Sequence, residues 1–236
     1  ADDKLLAIAQ ENNLSETAFI VGDDEDWTIR WFTPGIEVAL CGHATLGAAH
    51  AIFENMSKDA KQLNFSTHFS GTLTVKKELD KYTLNFPKLM PEQVDIPNAL
   101  VKALGGHPVE VWKANYSATE YDYLIVYEDE LDVVALTPSF IELAALDSRG
   151  AICTAKGSNS DFVSRYFAPA VNVPEDPFTG SAHCILTPYW AKHLGKSYLT
   201  AKQISARGGW AECRLADERV ELRGKAVTYL TGNINI

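Results

Sequence analysis

The sequence lacks the features that mark membrane proteins, nucleotide-dependent enzymes and metalloproteins. No apolar run is long enough to cross a bilayer, and no signal peptide is expected. There is no GxGxxG or GxxxxGK[ST] segment and no HExxH or similar ligand spacing, so the sequence predicts neither a cofactor nor a metal. The 4 cysteines are far apart and form no CxxC pair, which is typical of reduced thiols in a cytoplasmic protein.

Basic residues are also few. The 236-residue chain has 21 lysines and arginines against 31 acidic residues, which gives a net charge of −10. An acidic protein without a basic stripe repels phosphate backbones, so nucleic acid is not an expected partner. At 46% hydrophobic residues, the chain is able to form one large domain or two halves that each bury a core.

Two stretches of the chain repeat each other. An ungapped offset of 135 residues lays Arg30 on Arg165, Phe32 on Phe167, Pro34 on Pro169 and Cys41 on Asp176. A later hairpin repeats at an offset of 138 residues, which lays Leu84 on Leu222. The repeat predicts a duplicated α/β (α+β) fold with one functional site between two pseudo-equivalent halves.

The predicted halves are residues 1–97 and residues 98–222, and residues 223–236 are expected to return to the first half as a strand. Residues 87–97 contain three prolines and are interpreted as the connection between the halves. Apolar residues on nearly every face predict a buried helix over 44–55. Its copy is predicted over 182–194, bent or begun late around Pro188.

Each of these helices is preceded by small residues, Gly42 in the first copy and Gly180-Ser181 in the second. A helix N-terminus offers unpaired N–H groups and a partial positive charge, which bind carboxylate or phosphate. Two equivalent N-termini favour a site that holds an anionic small molecule and stabilises the negative charge formed when a proton leaves carbon.

Four ionisable residues are candidates near these N-termini, and each has a second interpretation. Cys41 is either a thiolate base activated by the helix or a small buried apolar residue. Asp176 is an orienting carboxylate, a helix N-cap, or both. His43 is either a structural histidine or a functional one, and its position after Gly42 favours a functional role. Glu16 has the chemistry of an acid/base catalyst, but spacing alone favours a solvated loop acid.

Four ordered segments resemble one known family. They are 13–19 (NLSETAF), 30–34 (RWFTP), 37–46 (EVALCGHATL) and 176–183 (DPFTGSAH), and 203–209 (QISARGG) also fits. Together they closely resemble the PhzF family of phenazine biosynthesis-like isomerases, which are related in fold to diaminopimelate epimerase and proline racemase. The resemblance implies two halves that each wrap a barrel-like sheet around a central helix.

The resemblance also implies proton-shift chemistry without a cofactor. It assigns acid/base catalysis to Glu16, with His43 and Asp176 beside the substrate. Substrate binding is expected to involve Ser15, Cys41, Gly42, Thr179, Gly180 and Ser181. By analogy the protein forms a homodimer and acts on a small carboxylate.

Two departures from the family pattern shape the functional hypotheses. The family's opening strand, with its Gly-Asn-Pro segment, is missing before Ala1. The epimerase relatives use a cysteine at each helix N-terminus, whereas this chain has Cys41 in one copy and Asp176 in the other. Isomerisation by one acid/base is therefore the main hypothesis. The alternatives are an amino-acid epimerase that uses Cys41 with Asp176, and a non-catalytic binding or scaffold protein.

Overall fold

The computed structural model describes residues 2–117 and 120–235, which contain six α-helices and fourteen β-strands. The helices are α1 (Asp2–Asn12), α2 (Gly42–Asn55), α3 (Asn98–Leu104), α4 (Glu130–Val134), α5 (Phe140–Ala144) and α6 (Gly180–Leu194). The strands of the first half are β1 (Thr17–Asp23), β2 (Asp26–Phe32), β3 (Glu37–Val38), β4 (Gln62–Ser66), β5 (Thr72–Glu78) and β6 (Lys81–Pro87). The remaining strands are β7 (Glu92–Val94), β8 (Glu110–Asn115), β9 (Tyr121–Val126), β10 (Gly150–Lys156), β11 (Phe162–Phe167), β12 (Tyr198–Gln203), β13 (Gly209–Ala216) and β14 (Arg219–Gly224).

The strands form one continuous sheet that joins the two halves. Its order is β1-β2-β4-β5-β6-β14-β13-β12-β11-β10-β9-β8-β7, with β3 paired to β2. The halves meet where β6 and β14 pair antiparallel, and there Leu84 lies opposite Leu222. Because the repeat makes these two leucines equivalent, their pairing places a pseudo-twofold axis between them. The predicted duplication is confirmed.

The repeat extends to side-chain contacts. Arg30 donates from Nε and Nη2 to the carboxylate of Glu37, at 2.8 and 2.6 Å. Arg165 makes the same two-pronged contact with Glu175, at 2.8 and 3.0 Å. Both ion pairs fix the loop that leads into the following long helix.

The structure corrects the predicted equivalence of Cys41 and Asp176. Val38 lies opposite Trp31 in the first copy, and the N–H of Asp176 donates to the carbonyl oxygen of Tyr166 at 3.0 Å in the second. Asp176 therefore corresponds to Val38. The second loop is longer by three residues because it contains a 3₁₀ turn at Pro169–Val171, and an ungapped comparison cannot show that insertion.

The residues that begin the two helices agree with this correction. Cys41 is the N-cap of α2 and Thr179 is the N-cap of α6. The glycines that follow them, Gly42 and Gly180, meet across the pseudo-twofold axis. A Cβ atom placed on either glycine would lie 2.5 Å from the Cα of the other.

The two long helices differ in burial. Helix α6 packs against β12, β13 and β14 and is buried from Gly180 to Ala191, whereas α2 packs against β1 and β6 and leaves Gly47 and Ala51 exposed. The prediction of all-round burial is therefore confirmed for α6 only.

Helix α6 runs continuously through Pro188, so the expectation that it begins late around this proline is wrong. Proline has no N–H to donate to the carbonyl oxygen of Cys184. The N–H of Leu89, in the segment between the halves, donates to that oxygen instead, at 3.1 Å. The Cys184 carbonyl oxygen therefore still accepts a hydrogen bond, so the proline in the helix leaves no unpaired carbonyl group there.

The segment boundaries differ from the predicted ones at two places. Strand β7 lies in the expected connection and pairs with β8 of the second half. No strand follows β14 in the described residues up to 235, so the strand expected within 223–236 is limited to the last two residues of β14. Beyond β14, that segment contacts the first half through side chains. Thr228 Oγ1 lies 2.9 Å from His50 Nε2, and Lys225 pairs with Asp80. Of the described helices, none has the length and hydropathy of a membrane span.

Candidate active site

The N-termini of α2 and α6 meet at the centre of the molecule. Neither N-cap residue, Cys41 or Thr179, makes a side-chain hydrogen bond to the backbone of its own helix. Two sets of helix N–H groups are thus left without side-chain caps beside the contact of Gly42 with Gly180. Such paired N-termini suit a carboxylate.

A small cavity of about 20 Å³ lies at this junction, with room for about one water molecule. Its lining includes Glu16, Cys41, His43, Arg149, Tyr166 and Asp176. A larger cavity of about 390 Å³ shares Gly42, His43 and Gly180 with it, so space for a larger ligand adjoins the junction.

The structure brings together the three predicted catalytic residues. Oε2 of Glu16 lies 3.1 Å from Nε2 of His43. The other ring nitrogen of His43, Nδ1, lies 4.0 Å from Oδ2 of Asp176 and 4.0 Å from the sulfur of Cys41. The side chain of Glu16 is only 14% exposed, so it is not the solvated loop acid that spacing alone favoured.

The carboxyl group of Asp176 has a raised pKa. Burial raises its pKa, and the nearby Glu16 carboxylate adds to the rise. Proximity to His43 and hydrogen bonding with Thr179 and Ser15 oppose that rise. Oδ2 accepts from the hydroxyl of Thr179 at 2.5 Å, whereas Oδ1 is buried without a partner in the described chain. A buried, unpaired oxygen beside the cavity is suited to a ligand.

His43 favours its protonated form. Burial lowers its pKa, but the contacts with Cys41 and with the Glu16 carboxylate more than offset that effect and hold the pKa well above its ordinary value. Glu16 and His43 therefore face each other at ion-pair distance, although the contact does not have hydrogen-bond geometry.

Cys41 does not have the properties of a thiolate base. Burial raises the pKa of its thiol to about 11, and the charge of Glu16 adds to the rise. Loss of hydration thus outweighs the helix N-terminus, which had favoured a lowered pKa. Cys41 lines the cavity as a neutral thiol.

The cluster of Glu16, Cys41 and His43 fits a metal poorly, although their ligand atoms lie within 4.8 Å of one another. Glu16 faces Nε2 of the histidine ring and Cys41 faces Nδ1. The lone pairs of these two nitrogens diverge, so a single ion cannot be bound through both. The geometry instead suits a relay of hydrogen bonds.

Gln203 is a site residue to which the sequence assigned no role. It is fully buried at the end of β12. Its Nε2 donates to the carbonyl oxygen of Asp176 at 2.6 Å, and its Oε1 accepts from the N–H of Thr179 at 2.8 Å. One amide thus fixes the turn that carries both residues. Gln203 belongs to the 203–209 segment that fits the family resemblance, which indicated that it is important. The sequence pattern could not show that it contacts the turn of Asp176 and Thr179.

Gln203→Leu is expected to lower the free energy of unfolding by about 2–4 kcal/mol, because it leaves a buried carbonyl group and a buried N–H unpaired. Urea unfolding followed by circular dichroism measures this change. The control is Gln62→Leu on β4, which loses one partly buried contact to Asn64 and is expected to cost less than about 1 kcal/mol. Equal losses in the two variants would contradict the role of Gln203.

The pseudo-twofold axis shows how the two halves differ at the cavity. Thr17 lies opposite Phe32, and Ala151 lies opposite the equivalent Phe167. Counting back one residue, Gly150 is the counterpart of Glu16.

A side chain at Gly150 has no space. Its Cβ would lie 2.5 Å from the hydroxyl oxygen of Tyr166. Gly180 is the counterpart of Gly42, so Ser181 is the counterpart of His43. The acid/base pair of the first half is therefore replaced in the second half by Gly150 and Ser181.

Comparison with known proteins identifies the family. The model of the family described as phenazine biosynthesis-like protein, PhzC-PhzF, matches residues 1–232. The chain belongs to this family. It is 50% identical over 236 residues to an uncharacterized isomerase of Pseudomonas aeruginosa, covering 100% of this chain and 88% of the relative. A second P. aeruginosa isomerase is 47% identical over 235 residues, with the same coverage.

Solved structures agree with the PhzF fold. The crystal structure of a PhzF-family phenazine biosynthesis protein from Enterococcus faecalis superimposes with a TM-score of 0.88 at 40% identity, covering 100% of this chain and 88% of that chain. A proline racemase structure from Agrobacterium radiobacter matches with a TM-score of 0.66 at 10% identity, which shows the shared fold alone. The mixed α+β, diaminopimelate epimerase-like architecture is confirmed, and the protein is an isomerase of the PhzF family.

Proposed function

We propose that this PhzF-family protein is a cofactor-independent isomerase in which Glu16 shifts a proton on a small carboxylate-bearing substrate. The observation that carries the proposal is the position of Glu16, 3.1 Å from Nε2 of His43 at a cavity between two helix N-termini. A carboxylate base, a histidine partner and an anion-binding backbone are the parts that such a reaction needs.

In the proposed reaction, Glu16 and the helix N-termini have separate roles. The Glu16 carboxylate removes a proton from a carbon near the substrate carboxylate, and the electron pair of the broken C–H bond delocalises toward that group. Helix N–H groups at Gly42, Gly180 and Ser181 stabilise the negative charge. Glu16 then returns the proton to a second carbon of the conjugated system, so the atoms balance without an oxidant or a reductant.

His43 and Asp176 act beside Glu16. The protonated ring of His43 orients the Glu16 carboxylate and donates a proton to a developing anion. Asp176, with its raised pKa, offers an unpaired oxygen to a polar group of the substrate.

The asymmetry of the two halves supports isomerisation over epimerisation. A two-base epimerase needs a second base on the opposite face of the carbon. The second half has Gly150 where the first has Glu16, and Cys41 is a thiol. Asp176 is 4.0 Å from His43 and so clusters with the Glu16 side of the cavity.

A non-catalytic scaffold is less well supported. Buried polar atoms without partners lower the stability of a fold and are usually kept for a ligand. Oδ1 of Asp176 is such an atom, and it belongs to a residue of the cavity lining.

The test is solvent exchange. Wild-type protein is incubated in D₂O with a panel of small unsaturated carboxylates and chiral amino acids, and proton NMR detects deuterium on carbon. We expect exchange with at least one unsaturated carboxylate, and we expect Cys41→Ser to change its rate by less than about fivefold, since a neutral thiol takes no proton. Exchange confined to an amino-acid α-carbon and abolished by Cys41→Ser would favour the epimerase.

A further inference from the structure

Arg149 is a cavity residue that the proposed reaction has not used. It directly precedes Gly150, and the register that pairs Gly150 with Glu16 makes Arg149 the counterpart of Ser15. Its side chain is only 6% exposed, yet it lines the cavity. The segment that carries the base in the first half thus carries a permanent positive charge in the second.

The guanidinium group is held in one orientation. Its Nε and Nη2 donate to the two carboxylate oxygens of Asp122, at 3.0 and 2.6 Å. Asp122 also accepts from the hydroxyls of Tyr116 at 2.9 Å and Tyr166 at 3.2 Å. The central carbon of the guanidinium group lies 3.8 Å from the centre of the Tyr116 ring. These contacts leave the head group little freedom.

One nitrogen of this fixed group makes an ion pair but no hydrogen bond. Nη1 of Arg149 lies 3.5 Å from Oε1 of Glu120, but the geometry is not that of a hydrogen bond. Across residues 2–117 and 120–235, no acceptor completes a hydrogen bond with Nη1. Ser181, at the N-terminus of α6, lines the same cavity as Arg149. Arg149 and that helix N-terminus can therefore contact the same ligand.

A positive charge in the cavity adds to the attraction that the helix N-termini have for an anion. Glu16 and Asp176 are acids, and a carboxylate that enters beside them meets like charge. Of the described residues that line the cavity, Arg149 has the one side chain with a permanent positive charge. A pre-oriented guanidinium binds carboxylate oxygens well, because its planar donors match their geometry.

We propose that Arg149 is the receptor for the substrate's carboxylate, which it holds through Nη1 beside the N-terminus of α6. This inference rests on the proposed function and assigns the two copies of one segment to two tasks. In the first half it supplies the acid/base, Glu16, and in the second half it supplies the anion-binding cation. The ligand class is a carboxylate whose reacting carbon faces Glu16.

The test compares carboxylates with their neutral amides. Acetate, pyruvate and benzoate, and acetamide, pyruvamide and benzamide, are titrated into the full chain and followed by NMR chemical shifts. We expect Arg149→Gln to weaken carboxylate binding by about 10- to 100-fold, since it removes a charged hydrogen bond, and to leave amide binding unchanged. Arg149→Lys keeps a charge beside Asp122 and is expected to lie between.

Two control variants separate this role from folding and from catalysis. Arg214→Gln removes another arginine that pairs with a carboxylate, Glu221, outside the cavity lining, and is expected to leave carboxylate binding unchanged. Glu16→Gln is expected to lose proton exchange and to keep carboxylate binding.

Each outcome decides between the two proposals. If folded Arg149→Gln or Arg149→Lys binds the carboxylates as tightly as the wild type, or if the wild type binds none, the receptor role is overturned. If the Arg149 variants bind carboxylates like the wild type but Glu16→Gln loses proton exchange, the proposed reaction is still supported. Guanidinium ion that restores carboxylate binding to Arg149→Ala would support the receptor role directly.

Discussion

Glu16→Gln is expected to lower the rate of proton exchange by about 10²- to 10⁴-fold, the usual contribution of a general acid/base. The amide has nearly the size of the carboxylate but cannot take a proton from carbon. NMR in D₂O measures the rate with the carboxylate found active in the wild type. The same variant removes a carboxylate that lies 3.1 Å from Nε2 of His43, so the pKa of His43 should fall toward its ordinary value.

The matched control is Glu54→Gln. Glu54 also pairs with a cation in the first half, Lys77, but it lies outside the cavity lining. We expect this variant to keep its exchange rate. Retained exchange in a folded Glu16→Gln protein would contradict the assignment of the base.

Gly42→Ala is expected to have the largest effect on the site as a whole. The new Cβ would lie 2.5 Å from the Cα of Gly180, and backbone cannot move aside as a flexible side chain can. The two helix N-termini must separate, at a cost of about 1–3 kcal/mol or more in the free energy of unfolding. Misplacement of the site by about 1 Å is expected to cost about 10²-fold in rate.

The control for Gly42→Ala lies one turn further along the same helix. Gly47 is exposed, and a Cβ at this position has no atom within 4 Å. Because alanine favours helix, Gly47→Ala should stabilise the protein by up to about 1 kcal/mol. Urea unfolding and the exchange assay compare the two variants. Similar effects of the two substitutions would show that the Gly42–Gly180 contact does not control the site.

Much of the fold could be predicted from the sequence, because the duplication is still visible as a sequence repeat. The repeat predicted that Leu84 and Leu222 are equivalent, and in the structure these two residues lie opposite each other where β6 pairs with β14. The clustering of Glu16, His43 and Asp176 followed from the resemblance to the PhzF family and was not available from spacing. The burial of the Glu16 side chain depends on residues that are distant in sequence.

Other features were hidden for physical reasons. The 3₁₀ turn at Pro169–Val171 displaced the apparent partner of Cys41 by three residues, which only the strand register and the helix N-caps show. Short elements such as α4 and β7 carry too few residues for a periodic signal. Arg149 lies beside Asp122 through the parallel pairing of β10 with β9, a contact between segments 27 residues apart. The homodimer and the cytoplasmic location stay predictions.

The central claim is that one acid/base, Glu16, moves the proton on one face of the substrate. It is tested most directly by running the wild-type reaction in D₂O on the active carboxylate and determining by NMR which face of the product carbon carries deuterium. We expect deuterium on a single face and recovered substrate of unchanged configuration. Deuterium on both faces, with inversion of the recovered substrate, would require a second base and would contradict the account.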